Sequence, residues 1–202
     1  MAVHISTGIS KMGGMALAIG LPPEDTCRPD APCKKGCYAR KGRYRMKTVQ
    51  KNLRENLNAW KRSHKKFEQT IVDACINCKW FRWFHAGDIV CMAFLIMMVH
   101  VALRVPSTNF LAFTKKFELV NKYLDKHDLP QNLSIVLSAW GDFIPDNPHN
   151  LPMAFVRFKD GKNDKIPADA IPCNGSCAEC IMRRDGGCWK LKRGQSVVFN
   201  FH

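Results

Sequence analysis

Seven of the ten cysteines fall into two short clusters, and their type and spacing allow metal chemistry. The first cluster has the spacing C-x5-C-x3-C, and the second has the spacing C-x3-C-x2-C-x7-C. Closely spaced thiolates can point into one concavity, and thiolates are ligands of zinc and of iron–sulfur centres. The clusters therefore predict two metal sites, whose ligands are Cys27, Cys33 and Cys37 in the first and Cys173, Cys177, Cys180 and Cys188 in the second.

The irregular spacing favours iron over zinc. Structural zinc sites usually contain paired C-x2-C knuckles, and neither cluster supplies two such pairs. We therefore expect one or two 4Fe-4S clusters, with zinc as the alternative metal. Three ligands leave one iron of a cubane open to a substrate, so the first cluster is the candidate for chemistry. The four cysteines of the second cluster indicate a structural or electron-transfer role.

The other cysteines and the neighbouring basic residues have simpler interpretations. Cys75 and Cys78 end a helical pattern and Cys91 lies in an apolar stretch, so we expect them in the core, where free cysteines are common. Basic residues beside the two clusters would offset the charge of thiolates: Lys34, Lys35, Arg183 and Arg184.

Most of the net charge of +14 is concentrated in one stretch. Residues 34–66 contain thirteen Lys and Arg and a single acid, Glu55. Such a concentration attracts polyanions, so a nucleic acid or nucleotide is the expected partner; the alternative is a basic surface that only confers solubility. The residues expected to contact phosphate are Lys34, Lys35, Arg40, Lys41, Arg43, Arg45, Lys115 and Lys116.

The chain reads as a protein of the reducing cytoplasm. Its start lacks a basic stretch followed by an apolar run, so no secretory signal is expected. The most apolar segment, residues 89–105, contains His100 and Arg104 and is shorter than the roughly 20 residues of a membrane span. We therefore expect a buried helix there, no membrane contact and clustered cysteines that bind metal rather than form disulfides.

The elements that must position these residues alternate between strands and helices. Apolar spacings of three and four predict helices from Met46 to Trp60 and from Phe67 to Cys75. Further helices are expected at residues 89–105 and 117–125, and strands at 3–6, 80–85, 110–114, 133–139, 153–158 and 197–201. Residues 7–45 are expected to form a long irregular loop. This order predicts an α/β fold with a parallel sheet.

In a parallel sheet, ligands gather at the carboxyl ends of the strands. The first cysteine loop and the segments 87–88, 114–116 and 138–140 each follow a predicted strand, so we expect all four on one rim. No linker or repeat divides the chain, which predicts a single domain over residues 1–202 with the cysteine-rich segment 172–202 as an appendage.

Several motifs resemble the phage and plasmid gene product 88 family. They are Ile5-Ser6-Thr7-Gly8, Ser10-Lys11-Met12-Gly13, Cys37-Tyr38-Ala39-Arg40, Phe81-Arg82-Trp83, Ala86-Gly87-Asp88, Ala112-Phe113-Thr114-Lys115 and the terminal cysteine group. The resemblance covers nearly the whole chain in order. It implies the cytoplasm of a phage's host cell, and it implies no particular reaction.

The layout is also similar to a shortened radical S-adenosylmethionine (radical SAM) domain. This second resemblance implies a partial, open TIM-type barrel, with Cys27, Cys33 and Cys37 as cluster ligands in the loop that ends at Tyr38. It implies that Gly87 and Asp88 face the amino group of S-adenosylmethionine and that Ser138 lines its ribose. The superfamily's usual C-x3-C-x2-C spacing occurs here in the second cluster rather than the first.

Two functions follow as hypotheses. The first is an iron–sulfur enzyme, radical SAM-like or with an open iron, that acts on a nucleotide or nucleic-acid substrate. The alternative is a DNA- or RNA-binding module in which metal only staples the loops. His85 is either an acid or base or a strand cap, and Trp60, Trp80, Trp83 and Trp140 are expected in the core rather than as stacking platforms for bases.

Overall fold

The fold is built on one mostly parallel sheet of eight strands, seen in a computed structural model that describes residues 2–7, 12–159, 163–183 and 186–201. The strands are β1 (Ile5–Ser6), β2 (Leu17–Ile19), β3 (Trp80–Trp83), β4 (Asn109–Thr114), β5 (Leu133–Ser138), β6 (Met153–Arg157), β7 (Ile171–Pro172) and β8 (Ser196–Asn200). The helices are α1 (Pro23–Thr26), α2 (Lys47–Arg62), α3 (His64–Cys75), α4 (Met92–Arg104), α5 (Phe117–Leu124) and α6 (Cys177–Met182). Gly8, Ser10, Lys11 and Arg184, named above, lie outside the described residues.

The strands lie in the order β1-β2-β3-β4-β5-β6-β8-β7, and all neighbours are parallel except β1 and β2. The α/β prediction is therefore confirmed. The predicted TIM-type barrel is not confirmed, because the edge strands β1 and β7 are not paired with each other in the described sheet. The segment after Pro172 contributes β8 to the same sheet as the rest of the chain.

Two apolar cores cover the two faces of the sheet. The larger core lies on the outer face, where α2, α3, α4 and α5 pack, and it includes the alternate residues Phe81 and Trp83 of β3. The smaller core lies on the inner face and includes Trp80 of the same strand together with Ile181 and Trp189. The alternation of side chains along a strand explains how β3 serves both cores.

The helices begin and end close to their predicted positions. The α3 helix starts after Ser63, whose side chain accepts a hydrogen bond from the Lys66 N–H at 3.3 Å. The α4 helix ends at Arg104, two residues before Pro106, which cannot continue a helix. Within the described ranges, no helix combines the length and apolar character needed to cross a membrane.

Two predictions about the fold were wrong. Residues 7–45 are not a single irregular loop, because they contain β2 and α1; β2 has only three residues, too few for a period-two pattern to be recognised. Cys91 is exposed rather than buried, because α4 begins one residue later and Cys91 only caps it. Cys75 is buried, as expected, and so are Trp60, Trp80 and Trp83, whereas Trp140 is half-buried.

Candidate metal centres

The first cysteine group lies in the connection between β2 and α2, at the carboxyl end of β2. Cys27 caps α1, donating its backbone N–H to the Pro23 carbonyl at 3.1 Å. Cys33 lies in a 3-10 turn over residues 32–34, and Cys37 precedes a second such turn over residues 38–40. All three cysteines are half-buried, so their thiols are neither sealed in the core nor fully open to solvent.

The three thiols are close enough to interact electrostatically. Burial, with smaller contributions from Asp88, Cys33 and Cys37, raises the pKa of Cys27 to about 12, against a smaller lowering by Lys115. Burial also raises the pKa of Cys37, with a smaller contribution from Cys33. The structure thus brings the predicted ligands together, and without a cation beside them Cys27 and Cys37 stay protonated at neutral pH.

The loops that follow β2, β3, β4 and β5 meet at one rim. The prediction placed the cysteine loop at this rim directly after a strand at residues 3–6, whereas the loop follows β2. Leu21 donates its N–H to the Ala86 carbonyl at 2.9 Å, which joins the ends of β2 and β3. The Lys115 ammonium lies 5.7 Å from the centre of the Trp140 ring, which joins the ends of β4 and β5. The first cysteine group is therefore placed where a parallel sheet usually binds its ligand.

Asp88 is the polar centre of this rim. Its side chain is buried and accepts hydrogen bonds from the Thr114 hydroxyl (2.5 Å), the Ile89 N–H (2.7 Å) and the Lys115 N–H (3.0 Å). Burial raises its pKa and these donors oppose the rise. The carboxylate thus accepts its hydrogen bonds from within the fold, whereas the radical SAM resemblance implies that it faces the amino group of the cofactor.

Gly87 is required by close packing. Its φ is +83°, and a Cβ at this position would lie 2.6 Å from the Leu21 carbonyl oxygen and 2.7 Å from the Thr26 hydroxyl. That hydroxyl accepts the Asp88 N–H at 3.1 Å. Ser138, the third residue implied by the radical SAM resemblance, is half-buried at the end of β5.

The second cysteine group covers the inner face of the sheet. Cys173 follows β7 and donates its N–H to the Val198 carbonyl at 2.8 Å, and the Cys188 carbonyl accepts the Ser134 hydroxyl at 3.1 Å. Next to Cys188, the Trp189 indole N–H donates to the Phe81 carbonyl at 3.1 Å. These bonds attach the segment to β8, β5 and β3.

The four cysteines of this group also lie together. Burial, with smaller contributions from Cys173, Cys177 and Cys180, raises the pKa of Cys188 to about 12, while Arg82 opposes the rise. Gly187 makes this approach possible: its φ is +55°, and a Cβ there would lie 2.5 Å from the Cys180 Cβ. The Cys173 sulfur accepts the Gly175 N–H at 3.4 Å.

The donor type fits iron or zinc, but the thiols are not yet arranged around a common point. In the part of the chain that the structure describes, no group of three or more His, Cys, Asp or Glu side chains could hold a metal ion as it stands. Side-chain rotation would therefore have to accompany loading. The chemistry of the donors fits a thiolate-bound metal at both groups, because soft sulfur ligands select zinc, copper(I) and iron–sulfur centres.

The predicted phosphate-contacting residues lie on the same side of the fold as the first cysteine group. Lys34, Lys35, Lys41, Arg43 and Arg45 are exposed, whereas Arg40, Lys115 and Lys116 are half-buried. The Arg40 Nε lies 3.9 Å from the Glu24 Oε1, and the Lys116 ammonium donates a hydrogen bond to the Val90 carbonyl at 3.5 Å. A shallow open depression beside this surface is lined by Arg45, Lys47, Gln50, Lys51, Arg54 and Glu55.

Sequence reasoning missed a second polar group at the rim. The hydroxyls of Tyr38 and Tyr44 donate to the His85 carbonyl at 2.9 and 3.0 Å, which fastens the cysteine loop to the end of β3. Burial, with a smaller contribution from Arg82, lowers the pKa of His85 to about 4, so its ring is neutral at pH 7. The cluster of Tyr and His residues in separate segments gave no local signal, because only the fold brings them together.

Comparison with known proteins identifies the family without adding a mechanism. No curated protein and no solved structure matches the chain. The family described as gene product 88 matches residues 5–189, which is most of the chain and includes both cysteine groups. The chain belongs to the gene product 88 family.

Proposed function

We propose that this protein is an iron–sulfur protein with two thiolate sites. Cys27, Cys33 and Cys37 would hold a cluster at the rim of the sheet, and the four cysteines of the second group would hold a cluster or a structural metal on its inner face. The observation that carries the proposal is the proximity of the thiols within each group. After burial, which is the main cause, Cys33 and Cys37 contribute to the raised pKa of Cys27, and Cys173, Cys177 and Cys180 contribute to that of Cys188.

The neighbouring residues support this assignment. Burial raises the pKa of Cys37, and Arg40 and Lys115 oppose part of this rise, so positive charge is available to stabilise thiolates. Three ligands leave one iron of a 4Fe-4S cluster free, and such a cluster supplies electron transfer or Lewis-acid activation of a bound substrate. Exposed basic residues border the first group, with Lys34 and Lys35 next to Cys33, so a nucleotide or nucleic acid is the substrate class that fits. The sequential strand order β2 to β6 is also the order of a partial barrel, which supports a radical SAM-like enzyme.

The test is the metal content of protein purified without oxygen. We expect about four iron and four sulfide atoms for each loaded site, with brown colour and broad visible absorption. Cys33→Ala should remove the iron of the first site and Cys188→Ala that of the second. Cys91→Ala is the matched control, because Cys91 is exposed and lies outside both groups. Wild-type protein that is folded and colourless, or that contains only zinc, would refute the iron proposal.

S-adenosylmethionine binding needs a separate experiment. The reduced protein is titrated with S-adenosylmethionine while the cluster is followed by electron paramagnetic resonance. A radical SAM-like site gives a changed signal in wild-type protein and in Cys188→Ala, and no signal from the first site in Cys33→Ala. An iron-loaded protein whose spectrum does not respond is an open-iron protein of another kind.

The exposed basic surface favours a second candidate function, a metal-stapled nucleic-acid-binding module. Phosphate contacts release counterions, so the affinity falls with salt in proportion to the number of contacts. We expect Arg43, Arg45 and Lys47, replaced together by Gln, to reduce the slope of log K against log salt for a mixed-sequence DNA duplex by up to about three. Lys126, Lys165 and Lys192 replaced by Gln remove the same charge elsewhere on the surface. Equal slopes for the two triple variants would exclude this surface as the nucleic-acid site.

A further inference from the structure

Arg82 lies on the inner face of the sheet between the two cysteine groups. It alternates along β3 with Phe81 and Trp83, which belong to the outer core, so its side chain shares the inner face with Trp80. Its neighbours across the strands are the buried residues Ala18 on β2 and Leu111 on β4. Both are apolar.

Arg82 is half-buried and carries a full positive charge. Among the described residues, no carboxylate lies within ion-pair distance of its guanidinium. Its Nε is buried and has no hydrogen-bond acceptor. Its closest charge-compensating contact is the face of the Phe113 ring, whose centre lies 5.4 Å from Cζ. A half-buried guanidinium without an acceptor is costly, and such groups usually have a partner.

The charge of Arg82 reaches both cysteine sites. It adds to the lowering of the pKa of His85 at the rim, and it opposes the rise that burial causes in the pKa values of Tyr44 at the rim and of Cys188 in the second cysteine group. Arg82 therefore lies within electrostatic reach of both sites.

We propose that Arg82 anchors a binding site for the oxyanion of a small ligand, on the inner face of the sheet between the two cysteine groups. A guanidinium presents parallel N–H donors that match a phosphate or a carboxylate, which explains why an arginine is used here. The apolar walls formed by Ala18, Leu111 and Phe113 favour a small ligand over a polymer. This inference goes beyond the metal sites and does not require them, because Arg82 and its two cross-strand neighbours belong to β2, β3 and β4.

The test observes the Arg82 Nε–H directly. Full-length ¹⁵N-labelled protein, prepared without oxygen, is titrated with inorganic phosphate and separately with acetate at constant ionic strength. We expect a saturable shift of the Arg82 Nε–H resonance, which is assigned as the peak missing from Arg82→Lys. Arg104 is the internal control, because its guanidinium already contacts Glu68 and Gln69. A stronger response to phosphate than to acetate assigns a phosphate-bearing ligand, and the reverse assigns a carboxylate.

Two outcomes would overturn the proposal. One is an Arg82 resonance that does not move, and the other is a shift shared equally by all arginine resonances. Arg82→Lys should weaken the apparent affinity for the better anion at least tenfold, because lysine lacks the paired donors. Visible absorption recorded on the same samples reports metal content separately. Failure of the anion site is therefore distinguishable from failure of the iron–sulfur proposal.

Discussion

Replacing Asp88 with Ala tests whether this carboxylate holds the rim together. The substitution leaves three donors without an acceptor: the Thr114 hydroxyl and the N–H groups of Ile89 and Lys115. An unsatisfied buried donor costs about 1–3 kcal/mol. Because water can enter part of the vacated space, we expect a total loss of about 3–5 kcal/mol in the free energy of unfolding. That loss is a large share of the roughly 5–15 kcal/mol that stabilises a typical domain.

The loss can be measured by urea denaturation followed through tryptophan fluorescence, with metal content kept equal between samples. Thr114→Val removes one of the three donors and should cost about 1 kcal/mol. Asp142→Ala is the matched surface control, because Asp142 is exposed, and it should change stability by less than about 0.5 kcal/mol. A loss below about 1 kcal/mol for Asp88→Ala would refute the structural role. It would return Asp88 to the role implied by the radical SAM resemblance, that of a cofactor contact.

Two further predictions concern His85 and Trp189. The pKa of His85 is lowered from 6.5 to about 4 in the folded protein, so the stability it contributes is present above pH 6.5 and is lost as the pH falls towards 4. This pH-dependent change in the free energy of unfolding amounts to at most about 3 kcal/mol. The variant His85→Gln should therefore show a flatter fall in stability at acid pH than the wild type. Parallel curves of stability against pH for the two proteins would contradict this. Trp189→Phe removes the indole N–H bonded to the Phe81 carbonyl, and urea denaturation should show a loss of about 1–2 kcal/mol. No loss would mean that the C-terminal segment does not brace β3.

The larger elements could be predicted from the sequence because their patterns are long. The apolar spacing of α2 repeats over enough residues to define a period, and β3 was predicted from its richness in aromatic residues; both elements were found near their predicted bounds. β2 and β7 have three and two residues, so no pattern could define them. Their place in the sheet depends on pairing with β3 and β8, which are distant in sequence.

The features of the candidate site also divide into those that could be predicted from the sequence and those that could not. The cysteine groups could be predicted because closely spaced thiols are a local signal. The lack of a carboxylate partner for Arg82 among the described residues could not be predicted, because a sequence does not show which acids reach an arginine. The hydrogen bond that the Asp88 carboxylate accepts from the Thr114 hydroxyl could not be predicted either, because Thr114 lies on the next strand. Contacts of this kind arise from the register of parallel strands, and the segments that carry them are separated by whole helices.

The segments that carry the two cysteine groups are both hydrogen-bonded to β3 or to the residues that directly follow it. At its end, the His85 carbonyl accepts the hydroxyls of Tyr38 and Tyr44 from the first cysteine loop. In its middle, the Phe81 carbonyl accepts the Trp189 indole N–H next to Cys188. The inner face of β3 also carries Arg82. A shift of this strand would therefore move the rim, the second cysteine group and the Arg82 guanidinium together. The two groups are thus joined through one strand, although about 150 residues separate Cys37 from Cys188.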